Sequence, residues 1–246
     1  MKLDLLAFGV HPDDVELSCA GTLMVEINNG KKVGVIDLTR GELGTRGTAE
    51  TRKEEAAAAA DIMGIHVREN LGMRDGFFTN DEEHQLQIIQ KIRQYKPEIV
   101  ICNALEDRHP DHGRSSKLVA DACFLSGLRK IETVFEGAAQ EAWRPKYVFH
   151  YIQDRYAEPD FIFDITSVFD RKVACIKAYS TQFSNNSTKT NDDEPQTYIS
   201  TPAYFDTILS RHKMMGKRIG VEYGEGFISE KRIGINTFDA IIQIST

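Results

Sequence analysis

The chain has 246 residues, of which 41% are hydrophobic and 27% charged, with a formal net charge of −7. This balance supports a full apolar core in one large α/β domain spanning 1–246. The acidic sign excludes a nucleic-acid binder held by phosphate neutralisation, since such proteins carry a basic face; a few local arginines still suffice for a small anionic substrate.

Leu3 to Val10 reads as a buried strand. Its apolar run from Leu5 to Val10 is too short for a signal segment or a membrane span, so the chain is expected to be cytoplasmic and to touch no membrane. Leu17, Ala20, Leu23, Met24 and Ile27 then recur at helical spacing, and Asn28-Asn29-Gly30 stops that helix. Lys32 to Leu38 supplies a second strand, followed by a glycine-rich loop from Thr39 to Gly47. Thr51-Arg52-Lys53-Glu54 matches a capping box, and Ala56 to Ala60 extends that helix until Gly64. His66 to Leu71 is a short strand, and Asp81 to Tyr95 is helical with Leu86, Ile89 and Ile92 on one face. Pro97 ends it, Ile99 to Asn103 is the fourth strand, and Arg114 to Leu125 the next helix.

This alternation implies a Rossmann-like, mostly parallel sheet with helices on both faces. In the second half, Tyr147 to Gln153 and Phe161 to Ile165 read as strands, while Val168 to Tyr179 and Pro202 to Met215 read as helices. The polar stretch Ser184 to Glu194 buries little apolar area and reads as a mobile loop or lid. The four cysteines, Cys19, Cys102, Cys123 and Cys175, form no C-x-x-C pair and sit among apolar or helical neighbours, which fits reduced core residues in a reducing compartment.

Two histidine-aspartate clusters carry the chemistry: His11-Pro12-Asp13-Asp14-Val15-Glu16 and Asp107-Arg108-His109-Pro110-Asp111-His112. Each follows a strand pattern, and in a doubly wound sheet ligands bind outside the carboxyl ends of the strands where the strand order reverses. Both clusters meet there if the first and fourth strands are neighbours. Taken singly, an Asp-Asp pair before a helix is as well explained by N-capping. Together the clusters favour a metal site, because two histidines and a carboxylate make a catalytic zinc set with a position left open. His66, His84, His150 and His212 lack such neighbours and are expected on the surface or in the core.

The first cluster resembles the A-H-P-D-D-x-E signature of the LmbE/PIG-L family of zinc-dependent N-acetylglucosamine deacetylases. The loop Leu38 to Thr48, Arg52, and His109-Pro110-Asp111-His112 look like further motifs of that family, as do Tyr179 to Phe183 and Tyr223 to Phe227. The resemblance implies that His11, Asp14 and His112 bind zinc, with iron the alternative. It implies that Asp13 is the general base, that His109 stabilises the oxyanion and that Asp111 orients His109. The nearest branch acts on N-acetylglucosaminyl-malate in bacillithiol biosynthesis, although Pro12 departs from that branch's usual first motif. Arg52 and Arg108 are then expected to hold substrate oxygens. Tyr204 and Tyr198, after the polar loop, read either as closing over the sugar or as core packing. Relatives of this kind imply a homo-oligomer acting on a small-molecule glycoside, without nucleic acid.

The same residues leave three alternatives: a deacetylase of another N-acetylglucosaminide, a metal-dependent phosphoesterase, and a non-catalytic sugar-binding module. Phosphoesterase sites usually hold two metals and more carboxylates, and a binding module has no need of Asp13.

Overall fold

Leu5–Gly9 (β1) is buried along its whole length, as a central parallel strand covered on both faces requires. Its side chains alternate between two cores. Leu6 and Phe8 join Ile36, Val100 and Leu118 on one side, and Leu5 and Ala7 join Val33, Val35 and Ile101 on the other. The protein is described by a computed structural model over residues 1–183 and 194–241, so all of the polar stretch Ser184 to Glu194 except Glu194 lies outside the described residues.

The remaining strands are Val33–Thr39 (β2), Val67–Met73 (β3), Ile99–Cys102 (β4), a small hairpin of Val134–Phe135 (β5) and Ala138–Ala139 (β6), Tyr147–Tyr151 (β7), Phe161–Asp164 (β8) and Gly224–Ser229 (β9). The main sheet runs β3-β2-β1-β4-β7-β9-β8. β1 pairs in parallel with β2 (Leu5 opposite Val33) and with β4 (Leu5 opposite Ile99), whereas β9 runs antiparallel to both β7 and β8. The chain therefore travels outward from β1 through β2 to β3, then returns to β4 on the other side. The strand order reverses between β1 and β4, and a crevice opens beyond their carboxyl ends.

Seven α-helices are described: Asp14–Ser18 (α1), Ala20–Asn28 (α2), Ala49–Met63 (α3), Glu82–Tyr95 (α4), Pro110–Leu125 (α5), Phe169–Ala178 (α6) and Pro202–Ile219 (α7). α4 and α5 cover one face of the sheet through Ile88, Ile92, Leu118 and Val119. Val15, Leu23 and, around α6, Cys175 lie on the other side. The architecture is the expected single α/β domain.

Local departures have physical causes. The first helix is two, broken at Cys19 where φ is −139°. The capping box lies one turn before the expected one, with Thr48 and Thr51 exchanging side-chain and backbone bonds. α5 starts at Pro110 rather than Arg114, since Pro is suited to the first helical position and His109 caps it. β9 was not expected, because Gly224-Glu225-Gly226 interrupts the apolar pattern that marks a strand.

Candidate active site

The two histidine-aspartate clusters leave the carboxyl ends of β1 and β4 and meet in a cleft of roughly 440 Å³, lined by His11, Asp13, Asp14, Arg52, Asp75, Asp107, His109, Asp111 and His112 among others. The three imidazoles converge, with ring centroids 4.8 Å apart for His11 and His109, 5.3 Å for His109 and His112, and 5.7 Å for His11 and His112. His66, His84, His150 and His212 do not line the cleft.

Asp14 is fixed before anything binds it. Its Oδ2 accepts the backbone N–H of Val10 (3.0 Å) and His11 (2.9 Å) and the Asn103 amide (3.0 Å), while Oδ1 accepts the Gln153 amide (3.0 Å). His112 Nε2 lies 3.2 Å from the same Oδ1. Burial alone would raise the Asp14 pKa, but His112 outweighs it and holds the carboxyl well below the usual range. The other ring nitrogen of His112 meets Asp107 Oδ2 at 2.6 Å, the carboxylate–histidine arrangement that fixes a metal-ligating tautomer. Burial opposes the imidazolium, yet Asp14 and Asp107 together push it up to about 10.

His11 is held from behind as well. Its Nε2 is 3.0 Å from Asp75 Oδ1, which turns Nδ1 toward Asp14 Oδ2 at 3.8 Å. Burial works against the charged form of Asp75, but the His11 bond brings its pKa down to about 2. Asp75 Oδ2 accepts the Leu43 N–H (3.0 Å), tying the glycine-rich loop to this ring.

These donors fit a divalent cation. Among the described residues, one nitrogen each from His11, His109 and His112 lie within 4.8 Å of one another, as do donors from His11, Asp75 and Asp111. Several buried carboxylates surround these nitrogens, a surplus of negative charge that a dication would balance. Of the expected set, His11 and His112 fall in one group with His109, whereas Asp14 is in neither group and stands 3.8 Å from His11 Nδ1 and 3.2 Å from His112 Nε2.

Asp13 sits at the N-cap of α1, but its side chain makes no capping bond there and its φ is 127°. The carboxylate instead accepts a bond from Arg52 Nη2 at 3.0 Å, with both side chains buried. Burial raises the Asp13 pKa and Arg52 opposes it, leaving the group at about 7, where a carboxyl both takes and returns protons. Arg52 lines the cleft where a substrate contact was expected, and its buried Nε has no hydrogen-bond partner among the described residues, but it spends Nη2 on Asp13. Gly41 makes this possible: its φ is 65°, and a Cβ there would stand 1.9 Å from Arg52 Nη1.

The expected His109–Asp111 pair is not formed. Asp111 spends its carboxylate on Gly76 N (2.8 Å) and Arg114 Nη1 (2.7 Å). His109 Nδ1 accepts the backbone N–H of Asp111 (3.3 Å), and burial, aided by His11 and His112, lowers the imidazole's pKa. His109 is thus a neutral ring whose Nε2–H is left as a donor. Arg108 is half-exposed, paired with Asp154 (Nε to Oδ2, 3.2 Å) and placed over the Tyr198 ring at 4.7 Å. Tyr204 is nearly buried in the cleft wall, packing on Phe183 and Tyr198.

Sequence reasoning gave no role to Asp75, Asn103, Gln153 or Arg211. Each belongs to the site through a contact distant in sequence, and a polar residue beyond a strand's carboxyl end was the available signal for Asn103 and Gln153. The late motifs act as braces. Tyr179 bonds Glu16 (3.0 Å), which also pairs with Arg68, and Arg68 in turn holds Asp37. Glu225 accepts Gly21 N (2.9 Å), Thr22 N (2.7 Å) and Lys172 Nζ (2.6 Å), capping α2 from the far end of the chain.

Comparison with known proteins places this geometry. The PIG-L family, described as GlcNAc-PI de-N-acetylase, matches residues 6–123, which contain both clusters. The chain is similar to the conserved protein TT1542 from Thermus thermophilus, with 34% identity, a TM-score of 0.83, and coverage of 95% of this chain and 97% of that one. It is 27% identical to 4-oxalmesaconate hydratase of Pseudomonas putida over 72% of this chain and 73% of that protein. It is also 27% identical to the probable N-acetyl-alpha-D-glucosaminyl L-malate deacetylase 2 of Bacillus subtilis, over 74% and 84% respectively. With matching clusters and a relative aligned along almost its whole length, the chain belongs to the PIG-L family of de-N-acetylases.

Proposed function

We propose that the protein is a metal-dependent amide hydrolase that removes the acetyl group from an N-acetylglucosaminide, and more narrowly from N-acetylglucosaminyl-malate in bacillithiol biosynthesis. The observation that carries this reading is Asp13, a buried carboxyl poised at about 7 beside the histidine cluster and free of its capping duty. The narrower substrate is supported by the likeness to the B. subtilis protein and by the half-exposed Arg108 at the cleft.

His11, Asp14 and His112 would hold the cation, zinc in the first instance and iron as the alternative. When bound, such an ion supplies Lewis-acid polarisation of the acetyl carbonyl and acidifies water. Asp13 accepts the proton of the attacking water, and Arg52 keeps that carboxylate ionisable inside the protein. His109 Nε2–H donates to the oxygen that gains charge at the tetrahedral carbon, a contact of about 2.7–4 kcal/mol in comparable sites. Collapse of that adduct breaks the C–N bond, and the proton held by Asp13 goes to the leaving amine. Asp107 and Asp75 keep the two histidine rings from turning.

The test is acetate release from N-acetylglucosaminyl-malate and other N-acetylglucosaminides by the metal-loaded protein, with metal content measured alongside. A second reading, a hydratase, is favoured by the likeness to the P. putida protein. The same assay separates the two, because hydration releases no acetate.

A further inference from the structure

Three arginines at or behind the cleft are paired with carboxylates. Arg52 holds Asp13, Arg68 holds Asp37 and Glu16, and Arg114 holds Asp111. Arg211, on α7, breaks that pattern. It lines the cleft, yet Nη1 donates to the Gln153 carbonyl and Nη2 to the Leu17 carbonyl (3.2 Å), and no carboxylate among the described residues forms an ion pair with it. The nearby Asp154 is already engaged by Arg108 Nε (3.2 Å) and the Tyr198 hydroxyl (3.1 Å).

Arg93 shows what a purely structural arginine does here. It spends its donors on the Ser126, Ile131 and Leu128 carbonyls and the Thr133 hydroxyl, away from the cleft. Arg211 uses fewer, leaving the rest of its donor fork for whatever enters the cleft. Burial lowers the pKa of Arg211, as it does that of Arg93; what sets Arg211 apart is its place on the cleft wall with donors to spare. A guanidinium so placed binds a planar anion in two-point fashion.

We propose that Arg211 is the specificity-determining residue that receives a carboxylate of the substrate, with Arg108 beside it on the wall built from Gln153 and Asp154. The cleft then reads a glycoside whose non-sugar part is an acid. This inference rests on the deacetylase reading for the sugar but not for the anion.

The experiment compares binding of N-acetylglucosaminyl-malate and its uncharged diamide to the metal-loaded full chain by calorimetry, with acetate release followed in parallel. Wild type is expected to favour the acid by about tenfold or more, as a charge-assisted contact requires. Arg211→Gln is expected to bring the two ligands near parity. Arg211→Lys, which keeps the charge but loses the fork, should retain only part of the preference; it carries the test if the glutamine variant does not fold. A wild type that does not discriminate, or a folded variant that keeps the full preference, overturns the proposal; the second result would put the carboxylate on the metal or on Arg108 instead. Discrimination that depends on Arg211 without acetate release from either compound would support Arg211 while sinking the deacetylase reading.

Discussion

Asp13 holds a backbone conformation that non-glycine residues rarely adopt, with φ 127°, and gains no helix cap by doing so. Strain of this kind persists where surrounding structure over-determines it, as at catalytic groups. Asp13→Asn is therefore expected to keep its metal and lose turnover by about a hundredfold to ten-thousandfold; steady-state kinetics with metal analysis checks both halves. The pH dependence follows from the same group. The carboxylate is the competent form, so kcat/KM falls as pH drops through its pKa, and because a nearby dication favours ionisation, the acid limb lies at or below about 7. His112→Ala should release the metal altogether, since Asp14 and Asp107 both converge on that ring; full occupancy in the variant would contradict its place in the set. These residues were legible in the sequence because each cluster is contiguous and follows a strand. The partners that hold them were not, because Arg52 lies 39 residues from Asp13 and Asp75 lies 64 from His11.

Loops and helices act on the site through a few close approaches. Gly41→Ala would force its methyl group into Arg52 and displace the guanidinium from Asp13. Burial would then act on Asp13 with less opposition, so its pKa rises and the acid limb of the profile moves to higher pH while the metal stays bound. An unshifted profile would show that Arg52 does not tune this carboxyl. β9 exerts a structural effect instead. Glu225→Ala strands the Lys172 ammonium in a fully buried position and uncaps α2, a loss of about 3–5 kcal/mol read as a lower melting temperature or denaturant midpoint. The helices and parallel strands were readable from apolar period. β9 was hidden because its buried acid and two glycines look like a loop until Lys172 and the start of α2 are seen beside them. The capping box was placed one turn late, since Thr48 and Thr51 are both competent caps and only the path of the glycine-rich loop chooses between them.

At the scale of the whole molecule, catalysis depends on a topological fact, the adjacency of β1 and β4 where the strand order reverses. Strand alternation made that crevice a reasonable expectation, and the pairing of Leu5 with Ile99 realises it. Braces from α6 and β9 then fasten the second half of the chain behind the site. Among the described residues, no helix is long and apolar enough to cross a membrane. Because an ion held there would bind the folded chain and not the unfolded one, chelation should lower the melting temperature, and restoring a divalent ion should raise it in a concentration-dependent way. Unchanged melting on chelation would argue that no ion is held there. The most direct test of the central claim is acetate release from N-acetylglucosaminyl-malate by metal-loaded wild type and by metal-loaded Asp13→Asn. Stoichiometric acetate is expected from the wild type and at least a hundredfold less from the variant, roughly the loss expected of a missing general base. No acetate from the wild type, or equal acetate from both proteins, would contradict it.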